Sequence, residues 1–150
     1  MILSRKQVRT DVLAALNAHP YFTTHSVRAV DLDGSPEAIV AYEGDLRDQQ
    51  TGAVLCLTQV LSGKLKQEAN RFRRVERSIE FAVLVRVNPE NASAPDHDQV
   101  VDEVVKCVSG LNTGPGAKRI EYVDEQLLNQ SPGIHSTSVR FTTTIITEGA

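Results

Sequence analysis

The sequence predicts an α+β fold, a mostly antiparallel sheet with two main helices packed on one face, and three patterns carry that expectation. Between Val75 and Val87 the odd positions are Val75, Arg77, Ile79, Phe81, Val83, Val85 and Val87, while Glu76, Ser78, Glu80 and Arg86 fall on even ones. Apart from Arg77, this is the two-residue period of a strand with one buried face. Further on, Val139, Phe141, Thr143 and Ile145 alternate with Arg140, Thr142 and Thr144, in a β-branched segment suited to a pleated sheet. The two runs are natural antiparallel partners. Helical spacing over Ser4 to Leu16 and over Asp96 to Leu111 supplies the layer that covers the sheet.

Taken in order, Ser4 and Gln7 match a capping box, in which a hydroxyl and an amide side chain satisfy backbone donors at a helix start. Val8, Val12, Leu13 and Leu16 then recur on one helical face, with Arg5, Lys6, Arg9 and Asp11 expected outside. Pro20 biases His19 away from helical geometry and ends the helix. Val27, Ala29 and Val30 predict a first strand between His25 and Leu32, Asp33-Gly34-Ser35-Pro36 a turn, and Ala38 to Tyr42 a second strand. After the polar turn Asp48 to Gly52, the run Val54 to Leu61 reads as a strand.

The stretch Lys64 to Arg74 sets five basic residues against one acid and leads directly into the central strand, so it is expected to be an exposed hairpin arm. A solvated basic loop is the ordinary reading of such a stretch. Phe72 among three arginines favours a contact role, because aromatic and Arg side chains are enriched where protein surfaces meet. The candidate interface residues are Lys64, Lys66, Arg71, Phe72, Arg73 and Arg74. Asn88 to Pro95 reads as a loop, and Asp96 with Gln99 as a second capping box. Val100, Val101, Val104, Val105, Val108 and Leu111 form the second helix's apolar stripe. A turn over Asn112 to Gly116, a strand from Arg119 to Val123 that Asp124 to Leu128 continue or leave, and a turn at Ser131-Pro132-Gly133 complete the chain.

A length of 150 residues suits one domain, 1–150, with enough apolar surface to bury a core. Sixteen basic and nineteen acidic residues give a formal charge of −3, which argues against a general nucleic-acid binder relying on a basic surface. Cys56 and Cys107 lie in apolar runs, and the N-terminus lacks the apolar core of a signal peptide. The expectation is a cytosolic product with two buried thiols outside any disulfide. The longest apolar runs fall far short of the roughly 20 residues that span a bilayer.

No catalytic or metal constellation is readable. His19, His25, His97 and His135 are scattered, and neither cysteine has a second ligand at zinc-site spacing. Gly114 to Arg119 lacks the Gly-x-x-x-x-Gly-Lys-Ser/Thr pattern and follows a helix where a phosphate loop follows a strand. Asp96, Asp98, Asp102 and Glu103 crowd a helix start, where negative charge complements the dipole. Asn91-Ala92-Ser93 and Asn129-Gln130-Ser131 match glycosylation sequons but, with no secretory signal, mark only surface loops. No nucleophile with its base and orienter stands out. The expectation is a protein without catalytic activity, cofactor or metal.

As a plan, the chain resembles the tail terminator proteins of long-tailed bacteriophages, the minor tail proteins of the tube-capping ring. The elements that carry the resemblance are the N-terminal helix, an exposed strand pair with a Pro-x-x-Ile-Val pattern (Pro36-Glu37-Ala38-Ile39-Val40), and the long central strand. A helix opening with acids and closing in Gly110-Leu111, and a long last strand, complete it. The Lys64 to Arg74 arm is longer and more basic than that pattern. What the resemblance implies is a self-assembled ring, commonly of six copies, in the tail or neck of the virion, assembled in the host cytoplasm. Such a ring stops polymerisation of the tail tube protein and offers its other face to a neck or head-completion protein, in some tails beside a sheath protein. Genome DNA passes through the lumen without specific binding, and no membrane is involved. The alternatives are a head-tail connector or neck ring protein, and a small cytosolic ligand-binding or enzymatic α+β domain.

Overall fold

In the computed structural model the chain runs α1 (Arg5–Ala18), α2 (Pro20–Thr24), β1 (Arg28–Asp31), α3 (Pro36–Arg47), β2 (Ala53–Ala69), β3 (Arg74–Val87), α4 (His97–Val108), β4 (Glu121–Asn129) and β5 (His135–Glu148). The structure describes residues 4–32, 36–47, 51–69, 74–112, 119–129 and 133–148. The strands form one sheet in the order β1-β2-β3-β5-β4, so β3 is the middle strand, as its alternation predicts. Only β1 pairs in parallel, with β2, and the remaining ladders are antiparallel. The fold is α+β.

From Ile79 onward the odd residues of β3 face the main core. Ile79, Phe81, Val83, Val85 and Val87 meet Val139, Phe141 and Ile145 of β5, Leu55 and Leu57 of β2, and a lid made by α1 and α4. Val8, Val12 and Leu16 of α1, with Val100, Val101, Val104 and Val108 of α4, form that lid. The fit explains how a helix as rich in valine as α4 persists, since the packing outweighs a mediocre intrinsic propensity. Ser4 caps α1 by accepting a hydrogen bond from the Gln7 backbone at 3.1 Å. The reciprocal half of the box is absent, because the Gln7 amide donates to Asp11 at 2.8 Å instead. Asp96 occupies the N-cap of α4 without a side-chain cap bond.

Two sequence expectations are corrected on the other face of the sheet and at its first edge. Ala38 to Tyr42 is not a strand but part of the twelve-residue helix α3, which connects the parallel strands β1 and β2. Pro36 opens the helix, where its missing N–H would have had no partner, and Glu37 follows in the first turn, where the dipole favours an acid. Ala38 and Tyr42, one helical turn apart, pack against Val30, Val54, Cys56 and Leu84 in a smaller second core. Helices therefore cover both faces of the sheet, with α3 on the face away from α1 and α4. Arg86 of β3 donates to the Tyr42 hydroxyl and lies with its guanidinium carbon 5.3 Å from the ring centre, fastening α3 down.

Arg9, expected outside, is half-buried and binds Asp31 at the end of β1, with Nε 3.2 Å from Oδ2, while Nη1 donates to the Thr58 carbonyl at 3.3 Å. Pro20 ends α1 as expected but also opens the short α2, which delivers Phe22 fully buried into the core. Cys56 is buried. Cys107 is only half-buried; its Sγ contacts the Ala15 carbonyl at 3.5 Å, and burial pushes its thiol up to about 11. Gly52 has a φ of +62°, and a Cβ there would meet the Asn91 side chain at 2.7 Å, so only glycine suits this approach. Its carbonyl accepts from Asn88 N, holding the loop after β3 against the start of β2.

Candidate interaction surfaces

The expected hairpin arm is present in the backbone. β2 and β3 stay paired from Ala53↔Val87 out to Ala69↔Arg74, with register shifts between Thr58 and Ser62 and between Leu65 and Gln67. Irregularities of this kind bend a strand and increase its twist. Lys64 and Lys66 lie on the outer half of β2, and Arg74 opens β3. Arg71, Phe72 and Arg73 lie outside the described residues. β4 reaches only as far as Thr142 on β5, and β1 only as far as Leu57 on β2. Beyond those points β2, β3 and β5 continue as a three-stranded extension, with no further described strand on either edge.

The two sides of the sheet end in different surfaces. At the β1 side, α3 exposes Ile39 and Val40. At the other side, the edge strand β4 exposes Tyr122, Val123, Leu127 and Leu128, an apolar row on a strand whose outer backbone groups have no described partner. Monomeric proteins generally blunt such edges, so an apolar one marks a contact surface. β4 also carries Glu121, Asp124 and Glu125 and no basic residue. Asp124 is held by Arg140 of β5, whose Nε donates to it at 2.6 Å, and this hydrogen bond holds its carboxyl pKa below the ordinary carboxylate range. Arg140 also lies 3.7 Å from Glu80.

Between the start of α4 and β4 is an open cleft of about 470 Å³, lined by His97, Asp98, Val101, Asp102, Glu125, Leu127 and Thr137. Val101 and Leu127 give it apolar walls, and three carboxylates ring it. Asp102 and Glu125 have no cationic partner among the described residues. His97 and His135, far apart in sequence, meet here edge to face with ring centres 5.7 Å apart. His97 Nε2 is 3.2 Å from the Thr137 hydroxyl, and burial holds the ring's affinity for a proton below the usual histidine value, against the pull of Asp98. Asp98, His97 and Thr137 follow the order of a nucleophilic triad without its geometry. The Asp98 carboxylate stands 3.8 Å from Nδ1, beyond hydrogen-bond reach, and its side chain is 96% exposed, so it does not orient the ring.

The sequence points to the arm and, in general terms, to strand edges and the N-terminal helix as contact surfaces; it does not single out β4, and it gives no sign of the cleft. The edge left a signal in the run Leu127-Leu128 beside Glu125, apolar residues adjacent rather than alternating, as at a bulge. The cleft left none, because its lining comes from three separate elements. Among the described residues, no group of three or more metal-ligating side chains gathers, and no helix is long and apolar enough to cross a membrane. No protein-family model matches the chain, and no curated protein matches it either.

Proposed function

We propose that the protein is a structural ring protein of the tail-terminator type, whose copies, six by the family plan's usual count, close a ring on the end of a phage tail tube and join it to the neck. The observation that carries this reading is the pair of unlike apolar surfaces on opposite sides of one sheet, Ile39 and Val40 on α3 and the Tyr122 to Leu128 row on β4. A closed ring arises when one patch meets a different patch on the next copy and the rotation returns to its start. A twofold dimer would need one patch that matches itself.

The order of elements supports the same reading. An N-terminal helix, a long middle strand, a helix opening with acids and running into Gly110-Leu111, and a long last strand follow the terminator plan. The Pro36 to Val40 element departs from it, being a helix here, so the surface at that side is this chain's own. The basic arm adds a projecting, charged extension suited to contacts outside the globular body.

The test is electron microscopy and sedimentation of the purified chain, alone and with tail tubes built from the tube protein of the same source. Rings in solution or on tube ends are expected. A particle that stays monomeric even when bound to tubes overturns the proposal. A monomer in dilute solution alone does not, since some ring proteins assemble only on their partner.

A further inference from the structure

We propose that the cleft between α4 and β4 is the receptor for the basic hairpin arm of a second copy of this chain, an inference that rests on the ring reading and adds a charged contact to its apolar one. The arm sequence carries Lys64, Lys66, Arg71, Arg73 and Arg74 against Glu68 alone, in a chain that is net acidic. The cleft offers the complement: Asp98, Asp102 and Glu125 around walls of Val101 and Leu127. Arginine forms paired hydrogen bonds with carboxylates, and the apolar walls suit the arm's Phe72 and the aliphatic stems of its basic side chains.

The copy's own arm does not reach this cleft. The β3–β5 ladder sets Arg74 opposite Glu148 at the arm end and Val87 opposite His135 at the other, and His135 meets the His97 ring edge to face at the cleft. At about 3.3 Å per strand residue, the Arg74 end of the arm and the cleft stand roughly 40 Å apart at opposite ends of the sheet. An arm at one end and its receptor at the other is a head-to-tail arrangement, in which each copy gives one arm and receives one. Several ion pairs acting together, partly desolvated in a cleft, carry the orientation that isolated exposed pairs do not.

The experiment is a charge swap in the full chain, read by sedimentation velocity across concentration and salt, alone and on tail tubes, with circular dichroism to confirm folding. Asp102→Lys with Glu125→Lys in the cleft, and Arg71→Glu with Arg73→Glu in the arm, are each expected to raise the concentration needed for assembly by more than about tenfold through like-charge contact. Combining all four in one chain is expected to restore most of the loss. If the cleft reversal unfolds the protein, Asp102→Asn with Glu125→Gln gives the same comparison with a smaller loss. Rings that form with unchanged concentration and salt dependence in every variant overturn the arm contact and leave the ring reading standing. A combined variant no better than its parents also overturns the contact. If the unsubstituted chain never assembles, alone or on tubes, the ring reading falls and the contact with it.

Discussion

Phe81 and Phe141 stack across β3 and β5, directly opposite in register, with ring centres 5.7 Å apart and planes inclined by 25°. Both are essentially inaccessible to solvent and lie beneath the helices at the centre of the sheet. Phe81→Ala is expected to cost roughly 3 to 5 kcal/mol, because the neighbouring strands cannot close over the space left behind. Denaturant unfolding measures this directly; a loss below about 1 kcal/mol would contradict the burial.

The Arg9 to Asp31 pair ties α1 to the shortest strand. Asp31→Asn removes the charge while keeping the shape, and is expected to destabilise by about 1.5 to 3 kcal/mol, the range for hydrogen bonds to charged groups. Arg9→Lys should recover little, since an ammonium does not span both Asp31 and the Thr58 carbonyl as a guanidinium does. A double-mutant cycle by thermal unfolding isolates the coupling, and additive losses would show that the two residues act independently.

His97 gives the fold an acid-side pH dependence. An unfolded histidine takes its proton near about 6.5, while the native ring, partly desolvated, stays neutral to lower pH. In that window the unfolded chain holds more protons, so the contribution is complete above about pH 6.5 and shrinks as pH falls, until the native ring also protonates. Asp98 and Asp96 oppose the shift, and His135 adds to it. His97→Gln is expected to flatten the stability profile between about pH 7 and 5 relative to the parent. An unchanged slope would assign it to other groups.

The β4 edge separates folding from assembly. Leu128 is 53% exposed, so Leu128→Lys should change monomer stability by no more than about 0.5 kcal/mol. A lysine on an open edge also obstructs pairing with another chain. Loss of rings with an unaltered unfolding curve is the expected result. Rings that persist at the parent's concentration would move the interface away from β4.

Much of this architecture was legible because period and burial agree. Val75 to Val87 alternates so regularly that a shift of one residue would take Phe81 and Val83 out of the main core and put them on the opposite face, which leaves its place and partner little freedom. The valine stripe of α4 was equally plain. Pro36 to Tyr42 misled because Ile39 and Val40 are β-branched and adjacent, and a short apolar run does not distinguish strand from helix. The decisive features were Pro36 at a helix start and the turn between Ala38 and Tyr42, both of which need the second core to be meaningful. The parallel pairing of β1 followed from that helix and was hidden with it. Of the candidate site, the basic arm could be read from charge alone. Its proposed receptor could not, since His97, Glu125 and Thr137 become neighbours only when β5 pairs with β4 beneath α4.

The position of β5 has a consequence for how the chain is made. It is synthesised after β3 and β4 yet lies between them, and among the described residues it is the only strand that β4 pairs with. On the ribosome, the N-terminal helices and the β2–β3 hairpin can form early, but one edge of β3 then stays bare and β4 has nothing to join. The sheet closes only when the segment from His135 onward emerges. Because the cleft and the apolar β4 edge do not exist before that moment, any contact that uses either of them waits until β5 has emerged and paired.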